Sequence, residues 1–240
     1  ADNVTSGTVN YVAGAGDDII TVDSKSGNIF GGPGNDRIIA VEQSNHRFDG
    51  GTGADTLGGN TGQGTFIGGS GADVFVIDVD SQTWDTGRTI QGSDNNGDGI
   101  TDFITETNQR PSVIADFADG VDMIGLKGDW SGNTIVIAQG TGNYSAHTFL
   151  YKASAEHGDN DAQVYVVLAN TTASTITADD FVLVGNDYTT SALTGVTVST
   201  DASLISSGLP SIAPILPVGS AALGESDSSS SSSLLEGGTD

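Results

Sequence analysis

The sequence predicts an all-β chain: a parallel β-roll of nine-residue Gly/Asp repeats, then an antiparallel β capping region, then a low-complexity C-terminal tail. Three observations predict it. A glycine-aspartate phrase returns every 18 or 19 residues near the N-terminus, a bulky apolar residue marks almost every ninth position there, and the last fifty residues turn to Ser, Thr, Gly and Pro. They divide the chain into 1–80 (roll), 81–186 (capping region) and 187–240 (tail).

The roll comes first. The phrase reads AGAGDDIIT at 13–21, GGPGNDRII at 31–39, GGTGADTLG at 50–58 and GGSGADVFV at 68–76, with starts 18, 19 and 18 residues apart. Weaker nonamers lie midway between them. The apolar markers are Tyr11, Ile20, Ile29, Ile38, Phe48, Leu57, Phe66 and Phe75, spaced 9, 9, 9, 10, 9, 9 and 9. Glycine accepts positive φ and close approach of other backbone, so GGxGxD makes a tight turn. The next three residues make a short strand whose middle side chain points inward. Two such units form one coil, and stacked coils place parallel strands about 4.8 Å apart. No coil buries its apolar residue alone, so stability comes from stacking.

In such a stack Asp18, Asp36, Asp55 and Asp73 fall on one side, one carboxylate per coil. Adjacent unit charges about 4.8 Å apart repel by about 0.9 kcal/mol in water and about 3.5 at an effective dielectric of 20. A cation between coils removes that conflict. Calcium takes six to eight hard oxygen ligands, and two aspartates plus carbonyls bared by the glycine turns supply them. The contributing glycines are Gly14 and Gly16; Gly31, Gly32 and Gly34; Gly50, Gly51 and Gly53; and Gly68, Gly69 and Gly71. Four turns leave three gaps, hence about three Ca2+ ions. The intervening units carry Val9, Gly27, a residue near His46, and Gly64 at the aspartate position, so the ladder is one-sided.

This nonamer resembles the GGxGxDxUx repeat of RTX, or hemolysin-type calcium-binding, proteins. The resemblance covers roughly residues 10–185, with Ala13 a departure from the pattern. It implies a secreted protein, exported by a type I system, that folds on meeting extracellular calcium.

Composition agrees. A formal charge of −24 argues against nucleic acid, whose phosphates need a basic surface, and against anionic membrane surfaces. There is no cysteine and no run of 18 apolar residues that would span a membrane. The chain opens on Ala1 without a leader-like apolar stretch, which suggests a processed or excised product.

Two further acidic stretches belong to the capping region. DNNGDGITD at 94–102 follows the alternate-oxygen logic of a calcium loop. Its spacing resembles the loops of thrombospondin type 3 repeats, which implies Asp94, Asn96, Asp98, the Ile100 carbonyl and Asp102 as ligands. VIADFADGVDMIGL at 113–126 resembles the segment that commonly follows RTX repeats. It reads as a hairpin or a last roll turn, and Asp116, Asp119 and Asp122 are candidate ligands of another ion. One or two ions are thus expected outside the roll. The runs TIVIA (134–138), HTFLY (147–151), QVYVVLA (163–169) and DFVLV (180–184) read as antiparallel strands covering the roll's open end.

The tail contains an apolar, proline-punctuated stretch (208–223) and a serine run (226–240). It reads as an assembly arm or a secretion signal.

Catalytic motifs are missing: no HExxH, no GxSxG, no cysteine nucleophile, and no lysine-bearing phosphate loop. The expected function is a secreted calcium-binding structural protein that self-associates into a homopolymer or array such as a surface layer, sheath, matrix or filament. The alternative is the non-catalytic module of a larger exoenzyme or toxin.

Overall fold

The computed structural model describes residues 2–5, 8–23, 26–41, 45–59, 64–78, 90–93, 102–105, 111–141, 144–154 and 163–201. The calcium-loop residues Asp94, Asn96, Asp98 and Ile100, and the tail from 202, lie outside them. Asp102 is described by its backbone alone.

Two sheets face each other. The chain runs from one sheet through an aspartate turn to the other, then returns along the opposite edge. The first sheet takes β1 (Asp2–Thr5), β3 (Ile19–Asp23), β5 (Arg37–Ala40), β7 (Thr56–Gly59) and β9 (Val74–Asp78), all parallel. The second takes β2 (Thr8–Val12), β4 (Ser26–Pro33), β6 (Asn45–Thr52) and β8 (Thr65–Ser70), again parallel. A two-stranded ribbon of β10 (Ile90–Ser93) and β11 (Asp102–Thr105) stands apart from both sheets.

The repeat sets the register. Tyr11, Ile29, Phe48 and Phe66 stack in one column, and Ile20, Ile38, Leu57 and Phe75 in the other. From Ile20 to Phe75 these markers are at most 3 % exposed, and Tyr11 packs against their cluster from the end. Each such side chain contributes about 1.5–3 kcal/mol on burial, but only because the coils above and below cover it.

The parallel ladder does not stop at residue 80. β12 (Ser112–Ile114) pairs in parallel with β8, and β13 (Met123–Lys127) with β9. Residues 115–122 between them are therefore a roll turn rather than a hairpin. A further coil follows: β16 (Gln163–Leu168) pairs with β12 and β17 (Phe181–Val184) with β13. The antiparallel cap interleaves with this ladder. β14 (Asn133–Gln139), β15 (Thr148–Ser154) and β16 form a meander, β18 (Thr190–Ala192) runs back along β17, and β19 (Thr197–Ser199) joins β14. Of the four expected cap strands, the last two thus pair in parallel with the roll, with Ile114 and Ile124 continuing its apolar columns into Leu168 and Phe181.

The four described basic side chains with ring contacts all turn back onto the fold. Arg37 and Lys127 each lie 5.7 Å from the Tyr188 ring, Arg47 lies 5.4 Å from Phe30, and Lys152 lies 5.4 Å from Trp130. Tyr188 holds a left-handed φ of 65° in the turn after β17.

Candidate metal centre

The four turns stack in register, and their carboxylates form a hydrogen-bonded ladder. Asp36 Oδ1 accepts from Asp18 N (2.8 Å), Asp55 Oδ1 from Asp36 N (2.7 Å), and Asp73 Oδ1 from Asp55 N (2.8 Å). Each aspartate thus holds the coil before it through one oxygen. Asp36, Asp55 and Asp73 are each 1 % exposed. The second oxygens, Asp36 Oδ2 and Asp55 Oδ2, are buried with no hydrogen-bond partner among the described residues. A buried carboxylate oxygen without a donor is costly.

The glycines explain why these oxygens have room. A β-carbon on Gly31 would press on the Asp36 carboxylate and stand 2.6 Å from Gly50 O, so this cradle between two turns is lined by oxygen. On Gly34 and Gly53, at φ +142° and +127°, it would strike the carbonyls of Gly16 and Gly34 in the preceding turn. Gly32, Gly51, Gly69 and Gly71 repeat that approach to the turn before, while Gly50 and Gly68 abut Asp55 and Asp73. Gly14 and Gly16 have positive φ but nothing within 4 Å, since no described turn precedes theirs.

Burial dominates the electrostatics. It pushes the Asp55 carboxyl up to about 6, aided by the charges of Asp73, Asp36 and Asp49 and opposed by the Asp36 N–H. Asp36, Asp73 and Asp122 are raised too, burial again being the main cause, with neighbouring aspartates adding to it. A ladder in which neighbours raise one another is short of positive charge.

The structure brings Asp116 and Asp122, but not Asp119, to this ladder. Asp122, 3 % exposed, accepts from Asp73 N at 3.0 Å and becomes the fifth rung. Asp116, itself exposed, accepts from Gly68 N and Gly69 N; Asp119 is exposed and is not drawn to the ladder. A second, exposed ladder that the sequence expectations do not include runs along the same turns: Asp17 Oδ1 accepts from Asn35 N (2.8 Å) and Asn35 Oδ1 from Ala54 N (2.7 Å). Its signal was Asp or Asn recurring 18 residues apart at the turn's fifth position.

Among the described residues no three acidic or imidazole side chains converge as a cation site. A cation in the ladder would draw on carboxylates from adjacent turns together with turn carbonyls. That donor set is all oxygen, which suits a hard cation such as calcium and not a thiolate- or imidazole-seeking metal. On the opposite edge, His46 holds the aspartate position, stacked on Phe48 with ring centroids 5.4 Å apart.

No protein-family model and no characterised protein sequence matches the chain. The solved structures similar to it include two subunits of the Azotobacter vinelandii mannuronan C5-epimerase. AlgE6R3 shares 19 % identity over 94 % of this chain and 93 % of its own, with a TM-score of 0.28. AlgE6R2 shares 18 % over 74 % and 91 %, with a TM-score of 0.31.

Proposed function

We propose that the protein is a secreted, calcium-binding structural protein of RTX type, whose roll folds, and which self-associates, on meeting extracellular calcium. The observation that carries the calcium reading is the pair of buried, unpartnered oxygens Asp36 Oδ2 and Asp55 Oδ2. They lie in a column of carboxylates that raise one another's affinity for protons. The residues fit calcium. Asp18, Asp36, Asp55 and Asp73 would hold it with carbonyls of the glycine turns, and it would supply the positive charge the column lacks. The chain's own part is to present those oxygens in register and to keep side chains out of the cradles.

Because the register exists only in the folded roll, ion binding becomes folding free energy. The reading is non-catalytic. The two described histidines have structural settings: His46 packs on Phe48, and His147 Nδ1 accepts from Asn170 N at 3.2 Å. Secretion follows from the sequence resemblance, and assembly from the C-terminal segment read as an assembly arm.

The test is circular dichroism and thermal melting in calcium and in excess EGTA, with electron microscopy of the same samples. Calcium is expected to bring β-type ellipticity and ordered arrays or fibres. Identical spectra and melting with and without chelator would overturn the calcium reading.

A further inference from the structure

The ladder's last step differs in kind from those before it. Upstream, the first two amides of a turn donate to main-chain carbonyls of the next coil: Ala13 N to Phe30 O (3.0 Å) and Gly14 N to Gly31 O (3.2 Å). At the corresponding positions of the 68–73 turn, Gly68 N donates to Asp116 Oδ1 (2.9 Å) and Gly69 N to Asp116 Oδ2 (2.8 Å). One side chain thus replaces two backbone acceptors. Asp122 is equally committed, its Oδ1 accepting from Asp73 N (3.0 Å) and its Oδ2 from Ala118 N (2.8 Å). Asp36 and Asp55, by contrast, each keep a buried oxygen without a donor.

The surroundings differ as well. At Gly31 the space of the missing β-carbon faces Gly50 O and the Asp36 carboxylate. At Gly68 it faces the Asp73 carboxylate and, at 2.9 Å, the Phe75 ring. That ring lies 6.3 Å from Phe117, which the 115–122 segment inserts into the core. Ring carbon stands here where the Gly50 carbonyl oxygen stands at Gly31, while at Gly50 the three nearest atoms all belong to Asp55.

We infer that residues 115–122 are a built-in stop for the cation ladder. Asp116 takes the place of the next coil's carbonyls and Asp122 that of its aspartate, with charge-assisted hydrogen bonds to main-chain amides. This step closes without an ion, and the ion count is set by the three steps upstream. The count rests on the calcium reading; closure by the protein's own groups does not.

The test combines residue-resolved amide hydrogen exchange on the full chain with ion counting by native mass spectrometry. As calcium is titrated out, the amides of Gly68, Gly69 and Asp73 are expected to lose protection after those of Asp18 and Asp36, with exchange at least about tenfold slower at intermediate calcium. Asp116→Asn is expected to bind as many calcium ions as the parent chain, and Asp55→Asn fewer. Loss of protection at Gly68 and Gly69 before Asp18 and Asp36 as calcium is withdrawn, or loss of one ion from Asp116→Asn, would overturn the inference. If Asp116→Asn does not fold, the exchange measurement on the parent chain decides alone. If calcium alters exchange nowhere, the calcium reading fails, and slow exchange at Gly68 and Gly69 still upholds the ion-free closure.

Discussion

Replacing Asp55 by Asn should change stability in opposite directions with and without calcium. Asparagine keeps the oxygen that accepts from Asp36 N and removes the charge from the buried, unpartnered position. In calcium-free buffer the folded carboxyl sits at about 6, against 3.8 when unperturbed. Its raised value means that the folded state holds the proton more tightly. Stability is therefore greatest below about pH 4, falls as pH rises towards 6, and is level above that. At about 1.4 kcal/mol per unit, ionised Asp55 destabilises the calcium-free fold at pH 7 by up to about 3 kcal/mol. Water reaching the site and the unmet amide hydrogens of asparagine reduce the expected gain to about 1–2 kcal/mol. In calcium the same variant lacks a ligand charge and should be less stable than the parent. Urea or thermal melts of both proteins at pH 4 and 7.5, with and without calcium, read all of this; a calcium-free parent that is unfolded at pH 7.5 should regain ellipticity on acidification. Equal destabilisation of the variant in every buffer, or a calcium-free parent indifferent to pH, would refute the reasoning.

Other expectations follow from the same geometry. Gly31→Ala places a methyl group against the Asp36 carboxylate and Gly50 O, and should abolish measurable calcium affinity by calorimetry. Gly14→Ala meets no neighbour and strains only its own backbone at φ +120°, so a loss of roughly 1–3 kcal/mol by urea melt suffices there. Phe48→Ala, in the middle of an apolar column, should cost about 3–5 kcal/mol in calcium, read from the denaturant midpoint. Tyr188→Ala releases Arg37 and Lys127 and should cost about 1–2 kcal/mol while leaving the calcium count unchanged.

The repeat made the first part of the fold legible because its physics is local. A glycine turn, one aspartate and one inward apolar residue recur at a fixed interval, and each coil needs only its neighbours. From Ile20 to Phe75 every marker residue stands in the core column its spacing assigns. The interval then fails. β12 stacks on β8 and β13 on β9 with some 49 residues between partners, as in Ile124 against Phe75. No periodic count reaches across that distance, so the continuation of the ladder was hidden while its strands were visible. Asp116 was misleading for another reason. An aspartate near two others suggests a ligand set, but its two oxygens are both taken by amides 47 and 48 residues away. Sequence shows the carboxyl group but not which main-chain donors will surround it.

The two long excursions of the chain, after β9 and after β13, both leave from the margin of the roll that carries no aspartate turns. The stack tolerates them because each strand is held by the rungs on either side of it, whatever path the chain takes to arrive. One margin is thus committed to exact repetition while the other is free to vary in length and content. New segments grafted at that second margin should leave the carboxylate column undisturbed, which makes it the natural place for such a protein to acquire, or be given, additional surfaces.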